Sequence, residues 1–197
     1  MDDDNVWIEK VQRGDTEAFG VLYDRYLDKI YRFVYYKTFA REVAEDITSD
    51  VFHKALRNSK SFDPAKGIFS TWLYRIARNA VIDHYRTKKH DVPLEDTFDV
   101  GVDERTPEVL DAIADLGRVT EYLTTLTAKQ REIIMLRIWE EKSYSEIAAL
   151  VGGTEGSVKM AFSRSIRELR EKCGPVSLLV IGVASQVASA LPLAELS

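Results

Sequence analysis

Six side chains, Ser157, Lys159, Met160, Ser163, Arg164 and Arg167, recur at spacings that put them on the outward face of a single helix, between the apolar positions Val158, Phe162, Ile166 and Leu169. Arginine and lysine can read the acceptor edges of guanine, and serine can bond a base or a phosphate, so this face suits a DNA groove. A second group interleaves Phe69, Trp72, Tyr74 and Tyr85 with Lys66, Arg75, Arg78, Arg86, Lys88 and Lys89. Rings that stack on unpaired bases, beside cations that track phosphates, suit a single strand. A third group is acidic: Asp46 and Asp50 stand one helical turn apart, with Glu42, Glu45 and His53 nearby and Ile47, Val51 and Phe52 alongside. It offers carboxylates to a basic partner and apolar area beside them.

Each group also has a plainer reading. The basic helix could be half of an ordinary helical hairpin with a solvated outer face, and the acidic ridge could be a solvated surface, a metal pair or an acid/base pair. No further ligand or nucleophile lies at a telling spacing from Asp46 and Asp50, which leaves the last two weak. Trp72 falls on one face with Leu73, Ile76, Ala77 and Ala80, so packing competes with base stacking there. His53, His84 and His90 are read as surface or phosphate-adjacent side chains. The single cysteine, Cys173, excludes an intramolecular disulfide and is read as structural or incidental; no metal, cofactor or catalytic residue is expected.

The elements that must carry these groups are helices, and the expected fold class is all-α. Phe19, Leu22, Tyr23, Tyr26, Ile30, Phe33 and Val34 form one stripe on a helix opening near Asp15 and Thr16. Val43, Ala44, Ile47, Val51, Ala55 and Leu56 form another, ending before the turn residues Asp63, Pro64 and Gly67. A third helix is expected from Ser70 to Lys89. Leu123, Leu126, Ile133, Ile134, Leu136 and Ile138 return to the helical period, and Thr127/Gln130 and Ser143/Glu146 have capping-box spacing. Gly152-Gly153 ends the helix that begins after Ser143, and Thr154 caps the next. The product is helix, glycine turn, basic helix: a helix-turn-helix.

The 197 residues carry a net charge of -5, unusual for a DNA-binding chain. The deficit is local. Between Asp91 and Asp115 nine acids face one base, Arg105, and without that stretch the rest of the chain is net positive. With Pro93, Gly101 and Pro107 and no clear period, residues 90–110 read as a flexible acidic linker between two small domains, 5–89 and 111–172. The amino terminus has neither the basic start nor the apolar core of a signal peptide, which suits a cytoplasmic protein. The apolar tail, 173–197, carries no charge between Lys172 and Glu195; its stripe of Val176, Leu179, Val180, Val183, Val187 and Leu191 is expected to dock as a helix rather than to anchor a membrane.

A helix-turn-helix of this form also ends many two-component response regulators, but residues 1–89 lack the strand and helix alternation of a receiver domain. The segments AEDITSDVFHKALRN, FDPAKGIFSTW and WLYRIARNAVIDHYR resemble region two of the extracytoplasmic-function sigma factors of the sigma-70 family, and LTAKQREIIMLRIWEEKSYSEIAALVGGTEGSVKMAFSRSIRELR resembles their region four. The resemblance implies a protein without catalysis of its own that directs core RNA polymerase to promoters. It implies that the Ala44 to Leu56 helix docks on the polymerase, through Asp46, Ile47, Asp50, Val51, Phe52 and His53. It implies that Lys66, Phe69, Ser70, Trp72, Tyr74, Arg75, Arg78 and Asn79 hold a melted, single-stranded -10 element with one base flipped out. Ser157, Lys159, Met160, Ser163, Arg164 and Arg167 would then contact the duplex -35 element, and an anti-sigma factor is a further expected partner. The linker would thread toward the polymerase cleft, its charge mimicking RNA. Many members carry a basic residue at the positions of Ala161 and Ile166, so the -35 contacts here centre on Lys159, Arg164 and Arg167. The alternative is a stand-alone helix-turn-helix regulator.

Overall fold

A computed structural model of the chain describes residues 3–87 and 117–174. The expected linker, Lys88, Lys89, His90 and the tail from Pro175 onward lie outside the described residues. The chain divides into two units, Met1–Leu94 and Glu95–Ser197. Among the described residues there are helices and turns and no strand.

The first unit comprises α1 (Asp3–Gln12), α2 (Glu17–Thr38), α3 (Arg41–Arg57), a single 3-10 turn (Ser59–Ser61) and α4 (Phe69–Thr87). Helix α2 is central and packs against α1, α3 and α4. Its stripe emerges as read from the sequence: Leu22, Ile30 and Val34 are fully buried, and Phe33 meets the ring of Tyr74 edge-on at 5.1 Å between centroids. Tyr23 departs from the stripe and stays exposed. The start of α2 is stabilised by the Asp15 carboxylate, which accepts a hydrogen bond from the Ala18 N–H at 3.1 Å. The helix stops at Phe39, whose left-handed φ of 50° is unfavourable for a residue with a side chain. Rings at Tyr35 and Tyr36 pack against Phe39 and hold it there.

Helix α1 has no counterpart among the helices expected from the sequence. Its Ile8 and Val11 are buried, and the buried Asp4 carboxylate accepts a hydrogen bond from the Tyr26 hydroxyl and pairs with Arg25, both on α2. At its other end the Gln12 side-chain amide donates to the carbonyls of Ser59 and Phe62, at 2.8 and 2.7 Å.

The second unit comprises α5 (described over 117–125), α6 (Ala128–Ile138), α7 (Tyr144–Val151) and α8 (Glu155–Cys173). Three successive helices open with complete capping boxes: Thr127 with Gln130, Ser143 with Glu146, and Thr154 with Ser157. Each box satisfies amide donors that a helix start leaves without an intrahelical acceptor. Val119, Leu123, Ile133, Ile134, Leu136, Ile147, Val158 and Leu169 form the core. Two polar clamps cross it. The Tyr122 hydroxyl donates to the Ser165 carbonyl at 2.8 Å. The Arg131 guanidinium, only 9% exposed, donates to the carbonyls of Leu123, Thr124 and Leu126 at 2.8, 3.3 and 3.2 Å, closing the end of α5.

Both kinds of polar link can be tested by substitution. Arg131→Leu leaves three carbonyls without their donor and is expected to destabilise the protein by about 3 kcal/mol; denaturant unfolding measures this, and a loss within about 0.5 kcal/mol means that water replaces the guanidinium. Burial pushes the Glu146 carboxyl up, but hydrogen bonds from the Ser143 hydroxyl and N–H and the Lys142 ammonium outweigh it, and the group ends below its ordinary 4.5. A lowered carboxyl stabilises the fold above its unfolded pKa, and that contribution fades as pH falls through the folded value. The stability difference between wild type and Glu146→Gln should therefore shrink as pH drops below 4.5, measured by denaturant unfolding across an acid series; a constant difference overturns the assignment.

Candidate nucleic-acid and polymerase interfaces

Helix α8 is placed by its own inner face and by the turn before it. Val158, Ile166 and Leu169 are buried, and Phe162 rests on Tyr144 of α7 at 5.9 Å. The turn needs glycine at both positions: φ is 73° at Gly152 and 144° at Gly153, and a Cβ on Gly153 would lie 3.0 Å from Ser157 Oγ. Opposite the buried stripe, Ser157, Lys159, Met160, Ser163, Arg164 and Arg167 are all exposed, Met160 at 67%. Among the described residues Lys159, Arg164 and Arg167 take part in no ion pair, whereas some cations on the first unit's helices do, as in Arg41–Glu45 and Lys54–Asp50. Ser157 has a prior commitment. Its hydroxyl donates to the Thr154 carbonyl at 2.8 Å and accepts from the Thr154 N–H at 3.1 Å, so its first role is the cap. Lys129 was not singled out from the sequence; its ammonium donates to the Gly152 carbonyl at 2.6 Å, tying the start of α6 to the glycine turn. Only the partner atom, a backbone carbonyl, explains it, and a sequence carries no mark of that.

The acidic ridge of α3 divides cleanly. Asp46, Asp50 and His53 are exposed, with Glu42 on the same helix, and Asp50 pairs with Lys54 one turn on at 2.6 Å. Val51 and Phe52, expected beside them on the docking face, are instead core residues at 0% and 4% exposure, and Ile47 is buried too. The physical reason is the helical period: α3 packs on α2 and α4, and Phe52 is held between the rings of Phe19 and Tyr23. A shallow cleft between α3 and α4 brings Asp46 and Asp50 alongside Asp83 and His84, two residues not assigned to this face from the sequence.

The third group gathers around the start of α4. Lys66, Arg75 and Asn79 are exposed, Arg78 and Trp72 half-buried. Phe69, Ser70 and Tyr74, expected to touch DNA, are buried at 1%, 6% and 1%. They lie on the α4 face that packs on α2 and α3, with Phe69 against Tyr26 and Tyr74 against Phe33. Trp72 is divided between core and surface: its indole packs in a cluster with Phe62 and Phe69, at 5.4 and 5.8 Å, and part of it reaches solvent. The preceding loop is shaped by Asp63, whose carboxylate accepts from the Ala65 N–H at 3.0 Å and pairs with Lys66 at 3.0 Å. The Lys66 hydrogen bond and the Ala65 N–H hold that carboxyl below its ordinary value.

Among the described residues no cluster of three or more His, Cys, Asp or Glu side chains has metal-ligand geometry, and no helix is long and apolar enough to cross a membrane. Cys173 is half-buried, its sulfur 3.5 Å from the Arg118 carbonyl.

Residues 22–90 match the family described as Sigma-70 region 2, and residues 116–169 match Sigma-70, region 4. The chain is 35% identical over 166 residues to the ECF RNA polymerase sigma factor BldN of Streptomyces coelicolor, an alignment that takes in 82% of this chain and 62% of that protein's length. With the ECF RNA polymerase sigma factor SigW of Bacillus subtilis it shares 34% identity over 178 residues, 84% of this chain and 94% of SigW. Among solved structures it is similar to the sigma factor RpoE in complex with the anti-sigma factor NepR from Bartonella quintana, with 26% identity, a TM-score of 0.65 and coverage of 79% of this chain and 96% of that one. CnrH in complex with the cytosolic domain of CnrY shares the fold at a TM-score of 0.62, with 24% identity and coverage of 92% and 97%. Two separate blocks in the order region two, region four, together with relatives at 34 and 35% identity, assign the chain to a family: it belongs to the ECF RNA polymerase sigma factors of the sigma-70 family, which direct RNA polymerase to promoters and initiate transcription.

Proposed function

We propose that three faces divide this work. The α8 face of Lys159, Met160, Ser163, Arg164 and Arg167, with Ser157 at its capped start, enters the major groove of the -35 element. Lys66, Trp72, Arg75, Arg78 and Asn79 hold the unpaired -10 strand, and Asp46, Asp50 and His53 on α3 dock on core polymerase. Phe69, Ser70 and Tyr74 support the strand-binding face from beneath, and Ile47, Val51 and Phe52 support the docking ridge in the same way. The domains run over 5–89 and 111–172, joined by the acidic segment 90–110. The chain supplies recognition, needs no cofactor or metal, catalyses no reaction itself and works in the cytoplasm. The RpoE–NepR complex supports an anti-sigma factor as a further partner.

The observation that carries this reading is the set of cations on α8. Lys159, Arg164 and Arg167 are exposed and take part in no ion pair among the described residues, so no internal partner need be broken before they meet phosphate or guanine. Run-off transcription with core polymerase tests the whole assignment: promoter-specific transcripts must require both proteins, whereas a stand-alone regulator binds its site without polymerase.

Arg164→Ala is expected to cost about 1 to 3 kcal/mol in promoter binding by the holoenzyme, with core affinity unchanged. Equal transcription from a mapped target promoter by variant and wild type removes Arg164 from the groove. For the docking ridge, replacing Asp46 and Asp50 together by lysine should abolish co-purification with core polymerase. Both sites are exposed, so folding stability should change by no more than about 0.5 kcal/mol. Retained polymerase binding rules out the ridge.

A further inference from the structure

Helix α1 lies ahead of the region 2 match, which begins at residue 22, and contributes no residue to the three recognition faces. Its last residue, Gln12, spends both N–H groups of its amide on two backbone carbonyls about fifty residues away, those of Ser59 and Phe62, at 2.8 and 2.7 Å. These carbonyls belong to the first residue of the 3-10 turn and to the residue that follows it, where the turn feeds the loop from Asp63 to Ile68. Because both acceptors are carbonyls, the amide must present nitrogen; its oxygen in the same place would be repelled.

The consequence of this clamp lies just beyond it in the chain. The ring of Phe62 is buried and packs on Trp72 and Phe69 at the start of α4, so fixing the Phe62 backbone fixes the stem of the loop and one wall of the Trp72 site. Past that stem, residues 65–68 are exposed, and Asp63 bonds within the loop, to Lys66 and Ala65. Helix α1 is itself anchored at its far end by the buried Asp4 against Tyr26 and Arg25, so Gln12 stands on a fixed support.

We infer that Gln12 is a positioning residue for promoter-strand recognition: through the Ser59 and Phe62 carbonyls it presets the 63–68 loop and the Trp72 edge for an unpaired base. This rests on the assignment of Lys66, Trp72 and Asn79 to the -10 strand. A loop ordered before binding spares the complex the cost of ordering it, and it narrows the set of bases that fit.

The test uses the full-length chain reconstituted with core polymerase. The probe is a single-stranded oligonucleotide carrying the non-template -10 sequence of a mapped target promoter, together with a copy in which one base of that element is changed. Gln12→Met keeps length and loses both donors, Gln12→Glu presents only oxygen, and Gln12→Lys restores a donor. The Met and Glu variants should bind the probe about tenfold more weakly, with a smaller ratio between the matched and changed oligonucleotides, unchanged affinity for core polymerase, and faster amide exchange over residues 59–68. The Lys variant should recover part of the loss. Wild-type affinity and discrimination in Gln12→Met overturns the proposal, as does a parallel loss of core affinity or faster exchange throughout the first unit, either of which makes Gln12 a general stabiliser. Asn79→Ala and Lys66→Ala separate the two levels. If they weaken probe binding while Gln12→Met does not, the positioning role fails alone; if neither does, the strand assignment fails and takes this inference with it.

Discussion

Burial of one stripe along each functional helix decides which side chains remain to recognise anything. A helix packed in a domain of this size gives up roughly a third to a half of its circumference to the core. On α4 the stripe of Phe69, Leu73, Tyr74, Ala77, Ala80 and Val81 is inside; what stays outside is Arg75, Asn79 and the free edge of Trp72. On α8 Val158, Ser165, Ile166 and Leu169 are inside, and the remaining turn positions present Lys159, Arg164 and Arg167. The exposed faces are therefore complements of the core, and a substitution that shifts the register of packing by one position would move cations inward and apolar residues outward together.

The two units solve the remaining polar problem differently. In the second, short-range capping boxes at Thr127, Ser143 and Thr154 satisfy each helix start within four residues, and the glycine turn needs only Gly152 and Gly153 in conformations other residues avoid. Its helix starts are thus fixed locally, with Tyr122 to Ser165 and Lys129 to Gly152 as its longer-range ties. The first unit has no comparable series among its described helices, since α2 and α3 open without a side-chain bond from their N-cap residues. It relies on links spanning long stretches of chain: Asp4 to Tyr26, Tyr85 to the Lys37 carbonyl, and Gln12 to Ser59 and Phe62. Long-range links order a loop only once the unit is assembled, which makes the 63–68 loop dependent on residues far from it in sequence.

That contrast also explains what could be read in advance. The capping boxes, the glycine turn and the inward and outward positions of α8 are legible in the sequence, because local spacing encodes them. The all-helical class and the stripe of α2 are legible for the same reason. Ile47, Val51, Phe52, Phe69, Ser70 and Tyr74, named for contact by the resemblance, are buried, because a resemblance assigns roles to motifs, and a motif mixes exposed residues with residues that hold those in place. For Val51 the sequence already held the correction, since the residue belongs to the apolar stripe of α3. Helix α1 escapes notice because its two buried apolar residues, Ile8 and Val11, are too few to make a stripe, and Asp4 gives no sign of being a buried anchor. The Gln12 and Lys129 clamps escape because their acceptors are backbone carbonyls, which every residue has.

Charge completes the division of labour. The chain as a whole is acidic, yet the α8 cations take part in no ion pair among the described residues, while the acids are concentrated between Asp91 and Asp115. Affinity for DNA grows with the number of phosphates neutralised, so Lys159, Arg164 and Arg167 on one short face, in the role proposed for them, would hold duplex DNA only weakly by themselves at physiological salt. A negative total opposes non-specific binding further. On the proposed assignment such weakness would suit a subunit that acts together with polymerase: base-edge contacts supply discrimination at small cost in total affinity, and the exposed carboxylates of α3, which would repel DNA, suit a basic surface instead. On the same assignment, the sign of charge that disfavours DNA on α3 is the one that suits a basic polymerase surface.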